Sequence, residues 1–232
     1  KLGIINYGNI NLLNSEKFNF DVIPSNLIEF ANYRKFIEHI HYGVKGLLID
    51  QDQIYVSLIY ELKKGCYNMS IFVAKLNFEK LEFEKFFSPD KCVDENDEYF
   101  NIAPERFQPL QSGGEMTISK NNNIIFSTGE FRKRDLAQDK NSVFGKIIEI
   151  NRSSKEYKII SMGHRNPQGL YFNFDKNILI ATEHSAQGGD EINVNYSIES
   201  EEIKNYGWPI SSYGEHYDFN TADALKKLYE IA

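Results

Sequence analysis

The densest cluster of polar side chains in the sequence is the run HRNPQGL at residues 164–170. An arginine can bind a carboxylate through two parallel hydrogen bonds, and asparagine and glutamine add directed hydrogen bonds beside it. Arg165, Asn166 and Gln168 therefore have the side chains needed to hold a carboxylate ligand. Taken alone, such a run is more often a polar turn that is hydrogen-bonded to its own backbone.

Two further segments carry residue types that suit a binding site. Residues 182–193 contain three carboxylates, those of Glu183, Asp190 and Glu191, together with a glycine pair. Because calcium binds carboxylate and backbone carbonyl oxygens, this segment predicts a hard-cation site, and the alternative is an acidic loop whose glycines permit a turn. Residues 205–209 (NYGWP) hold the only tryptophan of the chain, and such a segment is most often a packed corner.

The elements that must position these segments are short β-strands. Apolar strands at residues 46–50, 53–60, 67–76 and 81–87 are joined by tight polar turns. Four such strands have the size of one β-propeller blade, roughly 40–50 residues in known repeats. The pattern of apolar strand, polar hairpin turn and apolar strand then recurs over residues 116–182. The sequence therefore predicts an all-β propeller of four-stranded antiparallel blades, with about three blades represented in this chain.

The regions outside this repeat have other patterns. Residues 1–44 are expected to form an N-terminal segment, and the propeller blades are expected over residues 45–232. Apolar side chains at approximately helical spacing predict a helix within residues 24–41, and a second helix is predicted over residues 221–231. The polar, acidic stretch 89–109 is expected to be a long loop between blades, and long loops in compact domains are often functional.

Composition excludes several classes of function. The chain has 26 Lys and Arg against 33 Asp and Glu, a net charge of −7, and no basic cluster offsets it. It therefore lacks the positive field that binding to duplex nucleic acid requires. No apolar run reaches the roughly 20 residues of a membrane-spanning helix. Because the chain begins at Lys1 and ends inside a predicted helix, we expect it to be a fragment of a longer protein.

Cys66 and Cys92 are the only cysteines of the chain, and neither has the spacing of a metal site. Two interpretations are open for them. They are either buried free thiols or a disulfide, and a disulfide would indicate a periplasmic or secreted protein.

Taken together, residues 163–209 resemble the glucose/sorbosone dehydrogenase family, the soluble quinoprotein aldose dehydrogenases. The family pattern reads approximately GHRNPQGL, then EHGPxGGDEIN, then NYGWP, and a tail rich in Tyr and Gly that residues 212–217 match. Upstream, the glycine pair Gly113-Gly114 and the segments 127–129, 137–139 and 145–147 also follow the family in order and spacing. The resemblance extends from Gly113 to Tyr217, a little under half of the chain.

The resemblance implies a six-bladed β-propeller that binds pyrroloquinoline quinone (PQQ) and calcium. Such enzymes oxidise an aldose at its anomeric carbon by transferring a hydride to the quinone. By position, Arg165, Asn166 and Gln168 would contact the carboxylates and carbonyls of the quinone. The substrate would be a small-molecule sugar, and the sequence does not identify the electron acceptor.

The same resemblance implies two calcium sites. The backbone carbonyls of Ser185 and Ala186 would face the calcium that accompanies the cofactor. The side chain of Glu191 and the carbonyl of Tyr206 would serve a second, structural calcium, as in some relatives.

The sequence departs from the family pattern where the catalytic base belongs. The family has a pattern like HxGGRL, and here Gln111 stands at the histidine position and Glu115 at the arginine position. Glutamine has no accessible pKa and cannot act as a general base, whereas Glu115 could do so but is not at the position of the base. The Gly-Pro of the calcium turn is also replaced, by Ser185-Ala186.

Two hypotheses follow from these departures. The first is a quinoprotein sugar dehydrogenase with a modified base, which the retained arginine, asparagine and glutamine favour. The second is a non-catalytic propeller, stabilised by calcium, that binds a glycan or a protein partner, which the loss of the histidine favours.

Overall fold

The computed structural model describes residues 23–39, 41–101 and 106–214. The predicted C-terminal helix and Tyr217 lie outside these ranges. Within them the chain is nearly all β, with one short α-helix and three turns of 3-10 helix (Leu27–Phe30, Glu98–Asn101 and Arg134–Ala137). The helix and the strands are α1 (Tyr33–Glu38), β1 (Val44–Asp50), β2 (Gln53–Lys63), β3 (Cys66–Lys75), β4 (Glu84–Phe87), β5 (Val93–Asp94), β6 (Gly113–Ile118), β7 (Ile124–Thr128), β8 (Lys146–Ile150), β9 (Tyr157–Met162), β10 (Pro167–Asn173), β11 (Ile178–Glu183), β12 (Glu191–Asn195) and β13 (Lys204–Asn205).

The strands form three sheets whose order follows the sequence. The first sheet runs β1-β2-β3-β4 with antiparallel pairing, and β5 pairs with the first two residues of β3. The second sheet runs β6-β7-β8-β9, again antiparallel, and β13 returns from beyond the third sheet to pair in parallel with β9. The third sheet is the antiparallel set β10-β11-β12. The predicted antiparallel all-β fold is confirmed.

The first strands of the three sheets lie next to one another, with β6 between β1 and β10. This arrangement, in which each sheet extends outward from its first strand, is that of propeller blades around an axis. The approach of β1 to β6 requires glycine, because a Cβ added at Gly46 would lie 2.1 Å from the carbonyl oxygen of Gly114. The described residues account for three sheets, and the number of blades in the whole ring stays a prediction.

The second sheet is buried on both faces because adjacent residues of a strand point to opposite sides. Phe126 of β7 belongs to the core that lies against the first sheet, together with Tyr55 and Ile71. Its neighbour Ile125 belongs to the core against the third sheet, with Phe172. The continuous apolar run of β7 follows from this double burial.

The helix predicted within residues 24–41 is interrupted in the structure. A 3-10 turn ends before Ala31, which is extended, and α1 then begins after Asn32. The side chain of Asn32 accepts a hydrogen bond from the backbone N–H of Lys35, which makes Asn32 the N-cap of a new helix. The 3-10 turn covers the outer face of the first sheet through Leu27.

Cys66 and Cys92 form a disulfide, with their Cα atoms 5.4 Å apart. The bond joins the start of β3 to the residue before β5. Of the two interpretations, the structure therefore favours the disulfide over free thiols. In the described part of the chain, no helix has the length and apolar character needed to cross a bilayer.

Candidate functional site

A cavity of about 640 Å³ opens at the ends of the strands, where the segment before β6 meets the segments after β9 and β11. Most of the site residues predicted from the sequence line this cavity, together with residues that were not predicted. The residues that line it are Leu110, Gln111, Arg165, Asn166, Gln168, His184, Ser185, Ala186, Gly188 and Asp190.

The turn between β9 and β10 brings Arg165 and Asn166 to the cavity wall. It begins at Gly163, whose φ of +73° lies in the left-handed region that favours glycine. A Cβ at this position would also lie 2.2 Å from Oδ1 of Asn205, so a side chain there would displace the turn. The side chain of Asn166 is fixed by a buried hydrogen bond, because its Oδ1 accepts the backbone N–H of Gly113 at 3.0 Å.

Gln168 reaches the cavity through an irregularity in the third sheet. The pairing of β10 with β11 shifts between Pro167, which faces Glu183, and Gly169, which faces Thr182. The residue between them has no partner in the ladder, and bulges of this kind re-aim a side chain at the rim of a sheet. The exposed Gln168 side chain consequently lines the cavity.

The guanidinium group of Arg165 is held in place on three sides. One terminal nitrogen donates to the carbonyl oxygen of His184 at 3.0 Å. The other donates to Oε1 of Gln111 at 2.9 Å when the Gln111 amide is oriented to satisfy both of its neighbours. The group also lies over the indole of Trp208, with Cζ 5.4 Å from the ring centroid. Arg165 is therefore preorganised at the cavity rather than free to rotate.

Gln111 is engaged at both ends of its amide. In the orientation that serves Arg165, its nitrogen donates to Oε1 of Glu130 at 2.6 Å. Glu130 is fully buried behind it, in the segment after β7. The Gln111 amide is thus held between a carboxylate and a guanidinium group.

A buried hydrogen-bonded chain lies behind the turn that carries Arg165. His164 contacts Oγ of Ser161 through Nε2 at 2.7 Å and Oε2 of Glu183 through Nδ1 at 2.8 Å. The other carboxylate oxygen of Glu183 accepts the backbone N–H groups of Arg165 and Asn166. The sequence places Glu183 only among the carboxylates of a possible cation site and gives His164 no separate role, since nothing in their spacing shows that β9 and β11 bring them together.

The loop after β11 supplies the opposite wall. Asp190 accepts the backbone N–H of Ser185 at 3.2 Å through one oxygen and contacts Nδ1 of His184 at 3.2 Å through the other. The carbonyl oxygen of Ala186, one of the predicted calcium ligands, accepts the N–H of Gly189 at 2.8 Å. Ser185 and Ala186 both line the cavity. Across the described ranges, no cluster of three or more His, Cys, Asp or Glu side chains is arranged to hold a metal.

Three of the predicted site residues do not line this cavity. Glu191 lies beside a smaller cavity of about 250 Å³, where burial and the nearby charge of Glu183 raise the pKa of its carboxyl. Tyr206 packs its ring against that of His164, with centroids 5.0 Å apart. Glu115 lies on β6, where its Oε1 accepts the backbone N–H of Met116 at 3.1 Å and burial raises its pKa.

Comparison with known proteins identifies the family of the chain. Residues 48–230 match the family described as glucose / sorbosone dehydrogenase. Aldose sugar dehydrogenase YliI of Escherichia coli (strain K12) is 33% identical over 131 residues, which are 51% of this chain and 34% of that protein.

Solved structures share the fold. A crystal structure of a glucose dehydrogenase superimposes with a TM-score of 0.60 at 23% identity, covering 76% of this chain and 52% of its own. The PQQ-bound form of aldose sugar dehydrogenase from Streptomyces coelicolor superimposes with a TM-score of 0.54 at 22% identity, covering 73% of this chain and 49% of its own.

The chain thus spans about a third of the E. coli relative and about half of each of these two solved structures. The family match covers most of the chain and includes all three motif segments, of which two line the cavity and the third packs Trp208 against it. The chain belongs to the glucose/sorbosone dehydrogenase family.

Proposed function

We propose that the protein takes part in the PQQ-dependent oxidation of an aldose at its anomeric carbon. The observation that carries this proposal is the convergence of Arg165, Asn166 and Gln168 on one cavity, opposite the Ser185-Ala186 turn. The first three residues come from the turn between β9 and β10 and from the start of β10, whereas the Ser185-Ala186 turn follows β11. The fold therefore brings two separate segments to opposite sides of the cavity. The family membership of the chain supports the same reaction class.

The cavity fits a planar, multiply charged cofactor. Its volume of about 640 Å³ lies within the range of about 300–1,000 Å³ typical of small-molecule sites. Arg165 offers a positive charge whose position is fixed before any ligand arrives. Because Oδ1 of Asn166 is taken by Gly113, this side chain can offer a ligand only its amide nitrogen as a donor. Donors of this kind suit the carboxylates and carbonyl oxygens of PQQ.

Calcium would be held chiefly by backbone oxygen atoms. We propose the carbonyls of Ser185 and Ala186 for the calcium beside the cofactor, since calcium accepts backbone carbonyl ligands. The half-buried carboxyl of Glu191 and the carbonyl of Tyr206 are proposed for a second calcium. A cation would offset the repulsion between Glu191 and Glu183 that raises the Glu191 pKa.

The residues of this chain would bind and orient the reactants. When bound, PQQ supplies the hydride acceptor. Arg165 would hold one of its carboxylates, and Gln168, on its bulge, would donate to a carbonyl. Gln111 would keep Arg165 aligned but cannot take the proton of the sugar hydroxyl, because an amide is not a general base.

A second candidate function is a non-catalytic propeller that binds a glycan or a protein partner and is stabilised by calcium. The specific observation in its favour is that both ends of the Gln111 amide are engaged by Glu130 and Arg165. A cavity with this glutamine could still bind a glycan or a protein partner, but it would have no group that takes a proton from a sugar hydroxyl.

The proposed location is the periplasm or the extracellular space. The Cys66–Cys92 disulfide supports it, because disulfides form and persist in oxidising compartments. The proposed substrate is a small-molecule sugar, and the electron acceptor is not specified by the cavity.

The test is a titration of the full-length protein with PQQ at saturating calcium, followed by absorbance spectra before and after an aldose is added. We expect binding in wild type and a loss of affinity of about 10- to 100-fold in Arg165→Ala, the range expected for a charge-assisted hydrogen bond. Arg152→Ala is the matched control, because Arg152 pairs with Asp50 at 2.7 Å and lies over Tyr55, away from the cavity.

Sugar-dependent bleaching of the quinone absorbance would support the dehydrogenase. Binding without reduction by any aldose would favour the recognition function. Equal affinity in Arg165→Ala and Arg152→Ala would show that PQQ does not use this cavity.

A further inference from the structure

The chain Ser161–His164–Glu183 is buried and complete, yet none of its members lines the 640 Å³ cavity. The imidazole ring of His164 is fully inaccessible to solvent. Such a network of polar groups is costly to bury unless every member is satisfied. Here both ring nitrogens have partners, at 2.7 Å and 2.8 Å.

The direction of these hydrogen bonds follows from the chemistry of the partners. An ionised carboxylate only accepts, so Nδ1 of His164 must carry a hydrogen and donate it to Glu183. In the neutral ring, Nε2 then accepts from the hydroxyl of Ser161. The imidazole therefore fixes one oxygen of the Glu183 carboxylate, to which Asn193 also donates at 3.3 Å.

The second oxygen of Glu183 is the part that reaches the cavity wall. It accepts the backbone N–H groups of Arg165 and Asn166, the second at 3.3 Å. A rotation of the carboxylate would release both N–H groups at once. The orientation of the two residues proposed to bind the quinone thus depends on a histidine that the ligand would never touch.

We propose that His164 is a positioning residue: through Nδ1 and Glu183 it sets the main-chain geometry of Arg165 and Asn166, and with it the affinity of the cavity for PQQ. This inference rests on the proposed function only for the identity of the ligand. The positioning itself is a property of the protein without ligand.

Two substitutions, each keeping one of the two hydrogen bonds of the His164 ring, distinguish the proposed positioning role from the effect of losing a buried ring. In His164→Asn the amide nitrogen takes the place of Nδ1 and can still donate to Glu183. In His164→Gln the amide nitrogen takes the place of Nε2, so the contact with Ser161 is kept and the contact with Glu183 is lost. We expect PQQ affinity at saturating calcium to fall by at least about tenfold in His164→Gln, as for other groups that orient a ligand-binding residue, and by less than about threefold in His164→Asn.

Trp208 gives a second readout that needs no cofactor. It is the only tryptophan of the chain, and the guanidinium carbon of Arg165 lies 5.4 Å from its ring centroid. The guanidinium carbon of Arg134 lies 5.6 Å from the same ring and is common to all variants. A difference in intrinsic fluorescence between the two His164 variants therefore reports a difference at Arg165. We expect a changed emission maximum or intensity in His164→Gln and the wild-type spectrum in His164→Asn.

Phe172→Leu controls for stability, because Phe172 is buried between the second and third sheets and does not line the cavity. It should lower the melting temperature while leaving PQQ affinity and Trp208 emission unchanged. If His164→Gln does not fold, Glu183→Gln replaces it. An amide cannot accept at both ends, so either His164 or the two backbone N–H groups would face a donor, and the same losses are expected.

Equal effects of His164→Asn and His164→Gln on affinity and emission would overturn the inference, and so would wild-type behaviour in both. If wild type itself does not bind PQQ, the proposed function fails. The fluorescence comparison then decides the positioning role separately: a change confined to His164→Gln supports it, and no difference between the two variants refutes it.

Discussion

Gln111 lies at the wall of the cavity between two charged groups. Its amide lies between the carboxylate of Glu130, at 2.6 Å, and the guanidinium group of Arg165, at 2.9 Å. A histidine in this position would meet the same buried carboxylate, which would fix its tautomer and orient the ring. We therefore propose that the surroundings of Gln111 would orient a basic side chain placed there.

We accordingly expect Gln111→His to raise the rate of aldose oxidation. The expected increase in kcat is about 100-fold or more, since a positioned general base contributes about 10²–10⁴-fold. The measurement is the steady-state reduction of an artificial electron acceptor by the full-length protein loaded with PQQ and calcium.

Gln111→Asn serves as the control, because it also disturbs the contact with Glu130 but adds no base. A rate in Gln111→His no higher than in wild type would show that the missing base does not limit this protein. A rise in both variants would point instead to released motion of Arg165.

The connection between β7 and β8 is organised by a buried lysine at the start of β8. The ammonium group of Lys146 donates to the carbonyl oxygens of Leu136, Ala137 and Phe144 at 2.7, 2.9 and 2.8 Å. Ala137 in turn packs against Ala186 and Trp208, beneath the cavity. Lys146 thus joins a strand of the second sheet to the 3-10 turn that supports the site.

Burial lowers the pKa of Lys146 to about 7, although the charge of Asp139 opposes this shift. Between this value and the usual pKa of 10.5, the unfolded chain binds more protons at this lysine than the folded protein does. The free energy of unfolding should therefore rise with pH above about 7, and Lys146→Met should lack this contribution. Urea unfolding of both proteins between about pH 6.5 and 9.5 measures it.

The difference in unfolding free energy between wild type and Lys146→Met should grow in favour of wild type as pH rises. A difference that stays constant across this range would mean that Lys146 keeps its charge in the folded protein. Burial raises the pKa values of Tyr42 and Tyr67, but both residues are present in both proteins. Their contributions to the pH dependence of the unfolding free energy therefore cancel in the comparison.

The molecule as a whole is held together by two cores on either side of the second sheet and by one disulfide in the first. Cys66 and Cys92 are 26 residues apart. Closing a loop of that size restricts the unfolded chain and is expected to stabilise the fold by about 3 kcal/mol. The bond lies on the first sheet, whereas the cavity lies where the second and third sheets meet.

We therefore expect the double variant Cys66→Ala/Cys92→Ala to lose about 3 kcal/mol of unfolding free energy in urea titrations. Its Trp208 emission and PQQ affinity should be those of wild type. Wild-type protein under reducing conditions should show the same loss. An altered Trp208 spectrum in the folded variant would contradict the separation of the disulfide from the site.

The amino-acid sequence was sufficient for the features that depend on local periodicity and on short motifs. Alternating apolar runs such as those of β2 and β3 predicted antiparallel strands. The HRNPQGL run indicated Arg165, Asn166 and Gln168 as candidate site residues, and these three line the cavity. The predicted helix within residues 24–41 was less accurate, because the side chain of Asn32 caps a separate short helix.

The contacts between distant strands required the folded structure. The placement of Glu130 behind Gln111, the chain from Ser161 to Glu183 and the pairing of the two cysteines each join segments far apart in the sequence. A strand's own pattern shows which face is buried, but not which partner that face meets. These partners depend on how the sheets pack against one another, so the sequence indicated Arg165, Asn166 and Gln168 as candidates but not the groups that hold them in place.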